Sequence, residues 1–308
     1  MPLSLVTGGA GFIGSHLAEA LLERGDEVRV LDNFSSGSMD NLDHLKTNID
    51  IQEGDIRKTE DLQSALAGVD SLFHLAAMVS VPESIVNPAA CYAANIQAVI
   101  ELMETAQKME IQKVVLASST AVYGASARMP LKEEYAPQTL SPYAASKLFN
   151  ENLATIYAKN YQMHAVALRF FNVYGPRQRP DSDYAAVIPR FISSLIQEKA
   201  PVVYGAGKQS RDFIYVSDVV NACLTAELNE QVSGQVFNVC SGEETSLNNL
   251  LEVLQALFPN APAAEYTEAR IGDVMRSVGD PSSASEILGF AHQTDLSNGL
   301  RQTIEAWK

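Results

Sequence analysis

The most informative segment of the sequence for the fold is TGGAGFIG, which comprises Thr7-Gly8-Gly9-Ala10-Gly11-Phe12-Ile13-Gly14. It lies between a buried apolar strand predicted at Leu3–Val6 and a helix predicted at Phe12–Arg24, which Gly25 ends. In such a unit Gly8 permits a tight turn, Gly11 lets the backbone approach a pyrophosphate and Gly14 allows the helix to pack closely on the strand. The free N–H groups of the helix N-terminus favour phosphate. The stretch therefore predicts a dinucleotide-binding unit.

An acidic residue, Asp32, ends the second predicted strand, Val28–Leu31. A carboxylate at this place can accept hydrogen bonds from both hydroxyls of an adenosine ribose and would repel a 2′-phosphate. The alternative is an aspartate that merely ends a strand. We expect the cofactor to be NAD and not NADP.

Four more apolar runs predict strands, with helical patterns between them. They cover Ile49–Glu53, Ser71–Leu75, Lys113–Ala117 and Ala165–Phe170, the last after a long helix that starts near Pro142. Continuous apolar character without alternation is typical of strands that are covered by helices on both faces. The predicted fold class is α/β: a Rossmann doubly wound parallel sheet with a smaller C-terminal α+β domain.

The pattern changes at YGPRQRPDSD, residues 174–183, where Pro, Gly, Arg and Asp cluster. Shorter predicted elements follow: a helix at Ala186–Glu198, a strand at Val202–Tyr204, a helix at Ser217–Leu228 and a helix at Ser246–Phe258 with Ser246 as its N-cap. We expect a nucleotide-binding domain at residues 1–174 and a substrate domain mainly at residues 175–308. Segments near 212–240 are expected to return to the first domain.

Charge and composition argue against several classes of protein. The 308 residues contain 22 Lys and Arg against 37 Asp and Glu, and the net charge of -15 repels nucleic acid and anionic lipid. No apolar run reaches the ~18 residues that cross a bilayer, and the N-terminus lacks the regions of a signal peptide. Cys91, Cys223 and Cys240 are scattered and odd in number, which fits neither a disulfide framework nor a zinc site. We expect a cytoplasmic protein with no metal and with no nucleic-acid or membrane partner.

Tyr143 and Lys147 form a YxxxK pattern, so that a phenol and an ammonium lie one turn apart on one helix face. The pattern opens the helix directly after Ser141-Pro142, and a preceding strand ends in Ser118-Ser119-Thr120. A free tyrosine has a pKa of ~10, and a neighbouring ammonium and a positive nicotinamide ring would both lower it. Tyr143 and Lys147 are therefore candidates for proton transfer.

Taken together, the motifs resemble those of the extended short-chain dehydrogenase/reductase family over essentially the whole chain. The stretches that fit are TGGAGFIG (7–14), HLAA (74–77), Asn95, SSTAVYG (118–124), YAASK (143–147), RFFNVYGP (169–176), QSRDFIYVSD (209–218) and RIGDVMRS (270–277). The resemblance implies that Tyr143 is the general base and acid, that Lys147 holds the nicotinamide ribose and lowers the tyrosine pKa, and that Ser119 hydrogen-bonds the reacting hydroxyl.

The resemblance also implies a set of contacts with NAD. Asp55 and Ile56 match the adenine contact, and the backbone after the fourth strand would lie against the cofactor. The implied set is Gly8, Gly11, Phe12, Ile13, Gly14, Asp32, Asn33, Ser35, Gly37, Asp55, Ile56, Leu75, Ala76, Ala77, Asn95, Tyr143, Lys147 and Phe170.

The substrate implied by the resemblance is a UDP-sugar. Asn172, Arg211 and Arg270 match pyrophosphate contacts, a role that suits arginine because its planar guanidinium can bind phosphate oxygens bidentately. Asp273 matches a ribose contact and Tyr204 a base contact. The implied set is Ser84, Ser119, Thr120, Tyr143, Asn172, Val187, Tyr204, Arg211, Arg270, Asp273 and Ser277.

The reaction implied by the resemblance depends on the residues that follow Ser119. Family members that act on sugar nucleotides begin by oxidising the sugar C4 hydroxyl, and dehydratases and decarboxylases carry further acids or bases here. This chain has Thr120 and Ala121, which favours a 4-epimerase, an isomerase that returns the hydride to the other face of the ketone. Two alternatives stay open: a dehydrogenase or reductase that releases its oxidised sugar, and a non-catalytic NAD-binding regulatory protein.

Two further expectations follow from the resemblance. Ser277 matches the position beside the sugar ring, and its small side chain would leave room for an N-acetyl group. We therefore expect UDP-N-acetylglucosamine and UDP-N-acetylgalactosamine to be accepted beside UDP-glucose and UDP-galactose. The implied assembly is a homodimer in which the helix of Tyr143 and a helix predicted at Asn87–Lys108 form a four-helix bundle. The apolar positions Ile96, Val99, Ile100 and Met103 permit this bundle.

Overall fold

Seven parallel strands form the central sheet of the computed structural model, which describes residues 1–180, 186–269 and 274–307. The strands of these ranges are β1 (Leu3–Thr7), β2 (Glu27–Asp32), β3 (Asp50–Glu53), β4 (Ser71–His74), β5 (Lys113–Ser119), β6 (His164–Phe170), β7 (Asn172–Tyr174), β8 (Val202–Tyr204), β9 (Ser210–Arg211), β10 (Phe213–Tyr215), β11 (Val236–Val239), β12 (Thr245–Ser246) and β13 (Glu265–Thr267).

The order of the central sheet is β3-β2-β1-β4-β5-β6-β11, and every neighbouring pair is parallel. The order reverses direction between β1 and β4, which is the switch point of a doubly wound sheet. Three small sheets accompany it: β7 with β10 and β8 with β13, both parallel, and β9 with β12, antiparallel. The predicted fold class is confirmed, and the predicted strands differ from the observed ones by at most two residues at an end.

Helices cover both faces of the sheet. The α-helices of the described ranges are α1 (Phe12–Arg24), α2 (Thr59–Leu66), α3 (Val81–Val86), α4 (Pro88–Tyr92), α5 (Ala98–Lys108), α6 (Pro142–Tyr161), α7 (Val187–Ile196), α8 (Val216–Leu228), α9 (Leu247–Leu257) and α10 (Leu296–Ala306). The single helix predicted at Asn87–Lys108 is interrupted: a π-helical turn at Ala93–Gln97 joins α4 to α5. The Ser246 side chain caps α9 as predicted, because it accepts the N–H of Asn249.

Three buried clusters hold these layers together. The first joins one face of the sheet to α1 and α8, and the second joins the other face to α2, α5 and α6. The third lies among α7, α9 and α10 and includes Tyr174 and Phe213. Because β11 pairs with β6 and α8 packs in the first cluster, part of the later chain lies on the central sheet. The predicted division at residue 174 stays a prediction.

Two of the four apolar residues expected at the dimer interface are buried inside the protomer. Val99 and Met103 are 0% exposed and pack in the second cluster, since they lie on the face of α5 that is turned to the sheet. Ile100 is exposed on the same helix. No helix in the described ranges has the length and apolar character required to cross a lipid bilayer.

Candidate active site

The loops that follow the parallel strands meet at the carboxyl edge of the central sheet, where doubly wound folds bind their ligands. The glycine loop follows β1, and Asp32 ends β2. Leu75–Ala77 follow β4, Ser119 ends β5 and Phe170 ends β6. The fold therefore brings to one edge residues that lie far apart in the sequence.

The glycine loop has no room for side chains at two of its glycines. Gly8 has a φ of +72°, and a Cβ there would lie 2.8 Å from the backbone nitrogen of Ala76. A Cβ on Gly14 would lie 2.2 Å from the carbonyl oxygen of Gly8. No side chain caps α1 at Gly11, and its first turn holds no acidic residue, so its N–H groups face the loop without a protein anion. This cradle fits a dinucleotide pyrophosphate.

Asp32 is a buried carboxylate, 8% exposed, at the place expected to meet a ribose. Its oxygens accept the N–H of Ala10 at 2.9 Å and of Phe34 at 2.8 Å. Burial raises the pKa of Asp32, and these backbone hydrogen bonds oppose the rise. The carboxylate thus ties β2 to the glycine loop and retains acceptor capacity for a hydroxyl donor.

The remaining predicted cofactor residues surround this cradle in different ways. Asn33 donates to Asp55 at 3.2 Å, and the Arg57 guanidinium beside Asp55 holds the pKa of that carboxyl well below its usual range. Ile56 is a member of the second buried cluster. The other predicted residues lie in the first turn of α1, in the loop after β2, in the loop after β4 or at the end of β6: Phe12, Ile13, Ser35, Gly37, Leu75, Ala76, Ala77 and Phe170.

Asn95 lies in the π-helical turn and is 1% exposed. Its amide accepts the N–H of Met78 at 2.8 Å and donates to the Met78 carbonyl at 2.9 Å and to the Ser146 hydroxyl at 3.2 Å. Asn95 therefore fastens the loop after β4 to α6. Its predicted contact with the cofactor stays a prediction.

Ser119, Tyr143 and Lys147 come together where β5 ends and α6 begins. Ser141 caps α6, and Pro142 occupies its first turn, which fixes the start of the helix. The Ser119 hydroxyl accepts the backbone N–H of Ala121 at 3.2 Å and lies close enough to the Tyr143 phenol to lower its pKa. The Lys147 ammonium is 5.8 Å from the centre of the Tyr143 ring and donates to the Ala117 carbonyl at 3.1 Å.

Burial governs the protonation of this group. It raises the pKa of Tyr143, and the hydrogen bond with Ser119 opposes that rise. Burial lowers the pKa of Lys147 to about 8. The sequence predicts a depressed tyrosine pKa, whereas the surroundings of Tyr143 in the protein alone raise it. When NAD is bound, the positive charge of its oxidised nicotinamide ring would lower the tyrosine pKa.

His74, at the end of β4, is 1% exposed and bonded through Nδ1 to the Thr7 hydroxyl at 2.8 Å. Burial, and after it the charge of Lys147, lowers the pKa of His74 to about 3. The imidazole is therefore neutral near pH 7 and is packed at the end of the strand.

A cavity of about 640 Å³ opens beside Tyr143. Five of the predicted substrate residues line it: Tyr143, Asn172, Val187, Tyr204 and Arg211. Sequence reasoning missed other lining residues, among them Val79, Gln178, Arg190, Gln209 and Phe213. Arg190 could have been found, because it lies three residues after Val187 on the same face of the predicted helix. Its guanidinium carbon lies 5.7 Å from the ring centre of Tyr204.

The other predicted substrate residues lie elsewhere. Ser277 is 8% exposed, and its hydroxyl oxygen is 3.5 Å from that of Thr120, so it lies against the end of β5 and not in a surface turn. Ser84 is 0% exposed and accepts the backbone N–H of Tyr143 at 3.3 Å, so it supports α6 and offers no surface to a ligand. Arg270 and Asp273 lie outside the described residues.

A Rossmann sheet with a dinucleotide cradle and a Ser-Tyr-Lys group beside a cavity defines an NAD-dependent enzyme that works on a small ligand. A model of the NAD dependent epimerase/dehydratase family matches residues 4–240, and the chain belongs to this family. Its cofactor is NAD. The described residues contain no cluster of His, Cys, Asp and Glu that could hold a metal ion.

Several relatives match over nearly the full chain. A putative UDP-glucose 4-epimerase of Methanocaldococcus jannaschii is 36% identical over 307 residues, 99% of this chain and 98% of the relative. The structure of a UDP-N-acetylglucosamine 4-epimerase from Methanobrevibacter ruminantium, in complex with UDP-N-acetylmuramic acid, is 39% identical with a TM-score of 0.94, covering 99% and 98% of the two chains. That of a UDP-glucose 4-epimerase from Thermus thermophilus, in complex with NAD, is 32% identical with a TM-score of 0.90 and the same coverage.

The relatives also include another reaction. A UDP-N-acetyl-alpha-D-glucosaminuronate decarboxylase of Bacillus cytotoxicus is 32% identical over 313 residues, 98% of this chain and 96% of the relative. Membership therefore establishes an enzyme family that acts on nucleotide sugars with NAD, and the choice of reaction depends on the site.

Proposed function

We propose that the protein is an NAD-dependent UDP-sugar 4-epimerase that interconverts UDP-glucose and UDP-galactose and also accepts their N-acetylated forms. The observation that carries the proposal is the chemistry of the cavity wall. Among its described residues Tyr143 is the phenol that has a buried lysine beside it, and none is an aspartate, glutamate, histidine or cysteine. Elimination and decarboxylation call for further acid or base groups, whereas epimerisation at C4 needs one group that takes and returns a single proton.

The residues that would hold NAD are those of the cradle. The N–H groups of the first turn of α1 would bind the pyrophosphate, Asp32 the adenosine ribose, and Lys147 the nicotinamide ribose. When bound, NAD supplies the hydride acceptor and donor for the sugar carbon.

Tyr143 would take the proton of the C4 hydroxyl and return it to the product. Ser119 shares a hydrogen bond with the phenol and can hold the same substrate oxygen in line. Lys147 is buried and contributes a positive charge that favours the phenolate. Because Tyr143 lines a cavity of about 640 Å³, the oxidised sugar has space to turn its other face before the proton returns.

The substrate is proposed to enter with its diphosphate toward arginine. Arg190 and Arg211 are the charged side chains among the described residues that line the cavity, and both are cationic, in a protein of net charge -15. Tyr204 offers an aromatic face for the uracil, and Arg190 lies against that same ring. Ser277, next to Thr120, would set the width available beside the sugar.

A homodimer through α4, α5 and α6 is also proposed. Large apolar side chains are exposed on these helices: Tyr92 at 41%, Ile100 at 36%, Ile156 at 45% and Tyr161 at 52%. Ile156→Glu should convert a dimer into a monomer in sedimentation velocity, whereas a wild-type monomer would contradict the proposal.

We further propose that the protein works in the cytoplasm. Cys91, Cys223 and Cys240 are free thiols and all buried, which suits a reducing compartment. Detection of the protein outside the cytoplasmic fraction of its host cell would contradict this location.

The test of the function is turnover of purified protein with a panel of UDP-sugars, followed by NMR of the products. UDP-galactose should yield UDP-glucose, and UDP-N-acetylglucosamine should yield UDP-N-acetylgalactosamine, with no net rise in NADH absorbance. Steady accumulation of NADH would identify a dehydrogenase instead, and release of carbon dioxide from a UDP-uronate would identify a decarboxylase. Loss of every activity on the panel would leave the regulatory alternative.

A further inference from the structure

Two buried side chains of opposite charge pair with each other between α6 and β6, and neither has a role in the proton transfer at Tyr143. Glu151 on α6 and Arg169 on β6 are each 4% exposed. The guanidinium donates through Nε and Nη2 to the two carboxylate oxygens, at 2.8 Å each. This bidentate arrangement is the most directional that the two groups can form.

The pair is fastened to the strand that carries Ser119. The hydroxyl of Ser118, the preceding residue of β5, donates to the Glu151 carboxylate at 2.5 Å. Glu151 lies one turn after Lys147 and two turns after Tyr143 on α6, so the three share one helix face. One carboxylate therefore links the helix of Tyr143 and Lys147 to the ends of β5 and β6.

The same pair is joined to the segment that carries Ser277. Arg169 also donates to the Tyr123 phenol at 2.7 Å, and that phenol donates to the Asn238 side chain at 2.7 Å. From there the bonds pass from Asn238 to the Leu131 carbonyl at 2.9 Å and from the Leu131 N–H to the carbonyl of Val278 at 2.8 Å. The network thus runs from α6 to the neighbour of Ser277.

Apolar packing alone allows a helix to slide or rotate by a fraction of an ångström, whereas a buried ion pair restrains both movements. A displaced carboxylate would remain buried without its partner, which is strongly unfavourable. We propose that Glu151 and Arg169 are positioning residues that fix α6 against β5, so that Tyr143 meets Ser119 and Lys147 reaches the Ala117 carbonyl. The turnover readouts of this inference rest on the proposed function.

The chain offers a matched control at the opposite edge of the sheet. Glu227 on α8 is also 4% exposed and also accepts a serine hydroxyl, that of Ser71, at 2.8 Å. It pairs with Arg24 at 2.9 Å and Lys113 at 3.2 Å. Ser71 and Lys113 begin β4 and β5, so this network lies at the amino ends of the strands, away from Tyr143.

The experiment compares Glu151→Gln with Glu227→Gln under conditions where both are folded. Glu151→Gln should lower kcat by about 100-fold with little change in KM, as expected for a small misplacement of reacting groups. It should also move the acidic limb of the kcat profile to higher pH, because a weaker Ser119 bond no longer lowers the tyrosine pKa. Both substitutions should lower the melting temperature by a similar amount. Glu227→Gln should nevertheless leave kcat and its pH profile unchanged.

Equal losses of kcat in the two variants, or an unchanged pH profile in Glu151→Gln, would overturn the inference. If Glu151→Gln does not fold, Ser118→Ala removes one donor and leaves the ion pair, and it should lower kcat about tenfold; a wild-type kcat in Ser118→Ala would overturn the inference.

A further readout does not depend on which sugar is turned over. The ultraviolet titration of the phenol in NAD-bound protein, taken as the difference from the corresponding Tyr143→Phe protein, should give a higher tyrosine pKa in Glu151→Gln than in wild type. An unchanged titration overturns the positioning role, whereas failure of the sugar panel with a shifted titration overturns only the proposed function.

Discussion

Tyr143 lies beside the Ser119 hydroxyl and the buried Lys147 ammonium. The Ser119 hydrogen bond lowers the phenol pKa, while burial of the site raises it and costs Lys147 part of its charge. The protein thus prepares the geometry and leaves part of the electrostatic stabilisation to the bound cofactor.

Tyr143→Phe should lower kcat by about 10²–10⁴-fold, the usual contribution of a positioned acid or base, while NAD stays bound. The phenylalanine keeps the ring and loses only the hydroxyl. Steady-state turnover and the amount of NAD retained on purification would measure the two effects. Activity above about a tenth of wild type would mean that another group moves the proton.

Lys147 should make the stability of the cofactor-free protein depend on pH. Its pKa is about 8 in the folded protein against 10.5 for an ordinary lysine, so between these values the unfolded chain binds more protons at this site. The free energy of unfolding should therefore rise with pH across this window, by about 3 kcal/mol in total.

Lys147→Met lacks the titrating group and is the control. Urea unfolding at several pH values between 7.5 and 10 should show the difference between wild type and variant growing in favour of wild type as the pH rises. A difference that does not change with pH would mean that Lys147 stays charged throughout.

Ser277→Tyr should abolish turnover of the N-acetylated pair and spare UDP-galactose. Ser277 is buried against Thr120, so a ring at this place has to occupy space beside the sugar or displace the strand end. An overpacked aromatic group costs more than the roughly 1–3 kcal/mol of a single misplaced methylene. Ser277→Ala is the size-matched control and should keep both activities. Equal loss of both activities in Ser277→Tyr would remove Ser277 from the account of specificity.

Among the elements of the fold, the unit formed by β1, the glycine loop and α1 leaves little space for added side chains. Its glycines are required because other backbone atoms already occupy the places where side chains would lie, and α1 begins without a side-chain cap. The same unit is also the clearest part of the sequence, since turn, strand and helix signals agree there.

Gly14→Ala should abolish NAD binding and lower the melting temperature, because the new Cβ would lie 2.2 Å from the Gly8 carbonyl oxygen. Gly68→Ala is the matched control, since Gly68 has nothing within 4 Å of its added Cβ and pays only for its φ of +75°. Isothermal titration with NAD should show wild-type affinity for Gly68→Ala. A normal affinity for Gly14→Ala would contradict the role given to this loop.

The sequence predicted the elements whose signals are local and long. The bounds of α1 agree, the observed β1, β2 and β4–β6 lie within two residues of the prediction, and α6 begins at Pro142. Pairing of the short strands β7 with β10 and β9 with β12 was not predicted, because two or three residues carry no periodicity.

Side chains that act through tertiary contacts were missed for a related reason. The pairing of Glu151 with Arg169 and the support of Tyr143 by Ser84 depend on helices and strands that meet only in the folded chain.

The protein as a whole is acidic, yet Arg190 and Arg211 both line one cavity at the carboxyl edge of the central sheet. The loop after β1 supplies the cradle, and α6 supplies Tyr143. The third buried cluster supplies further lining residues of the cavity, among them Tyr174, Phe191 and Phe213. The site therefore depends both on the packing of the central sheet and on that of the third buried cluster. Among the described residues that line the cavity there is no carboxylate, imidazole or thiol, and Tyr143 is the phenol that has a buried lysine beside it.

The central claim is that C4 is oxidised and then reduced again while one side chain handles the hydroxyl proton. The most direct test uses UDP-galactose labelled with deuterium at C4, together with unlabelled substrate in heavy water. UDP-glucose should keep the C4 label in the first case and gain no carbon-bound deuterium in the second. Exchange of the C4 hydrogen with solvent would show that a base removes it as a proton, and that result would contradict the account.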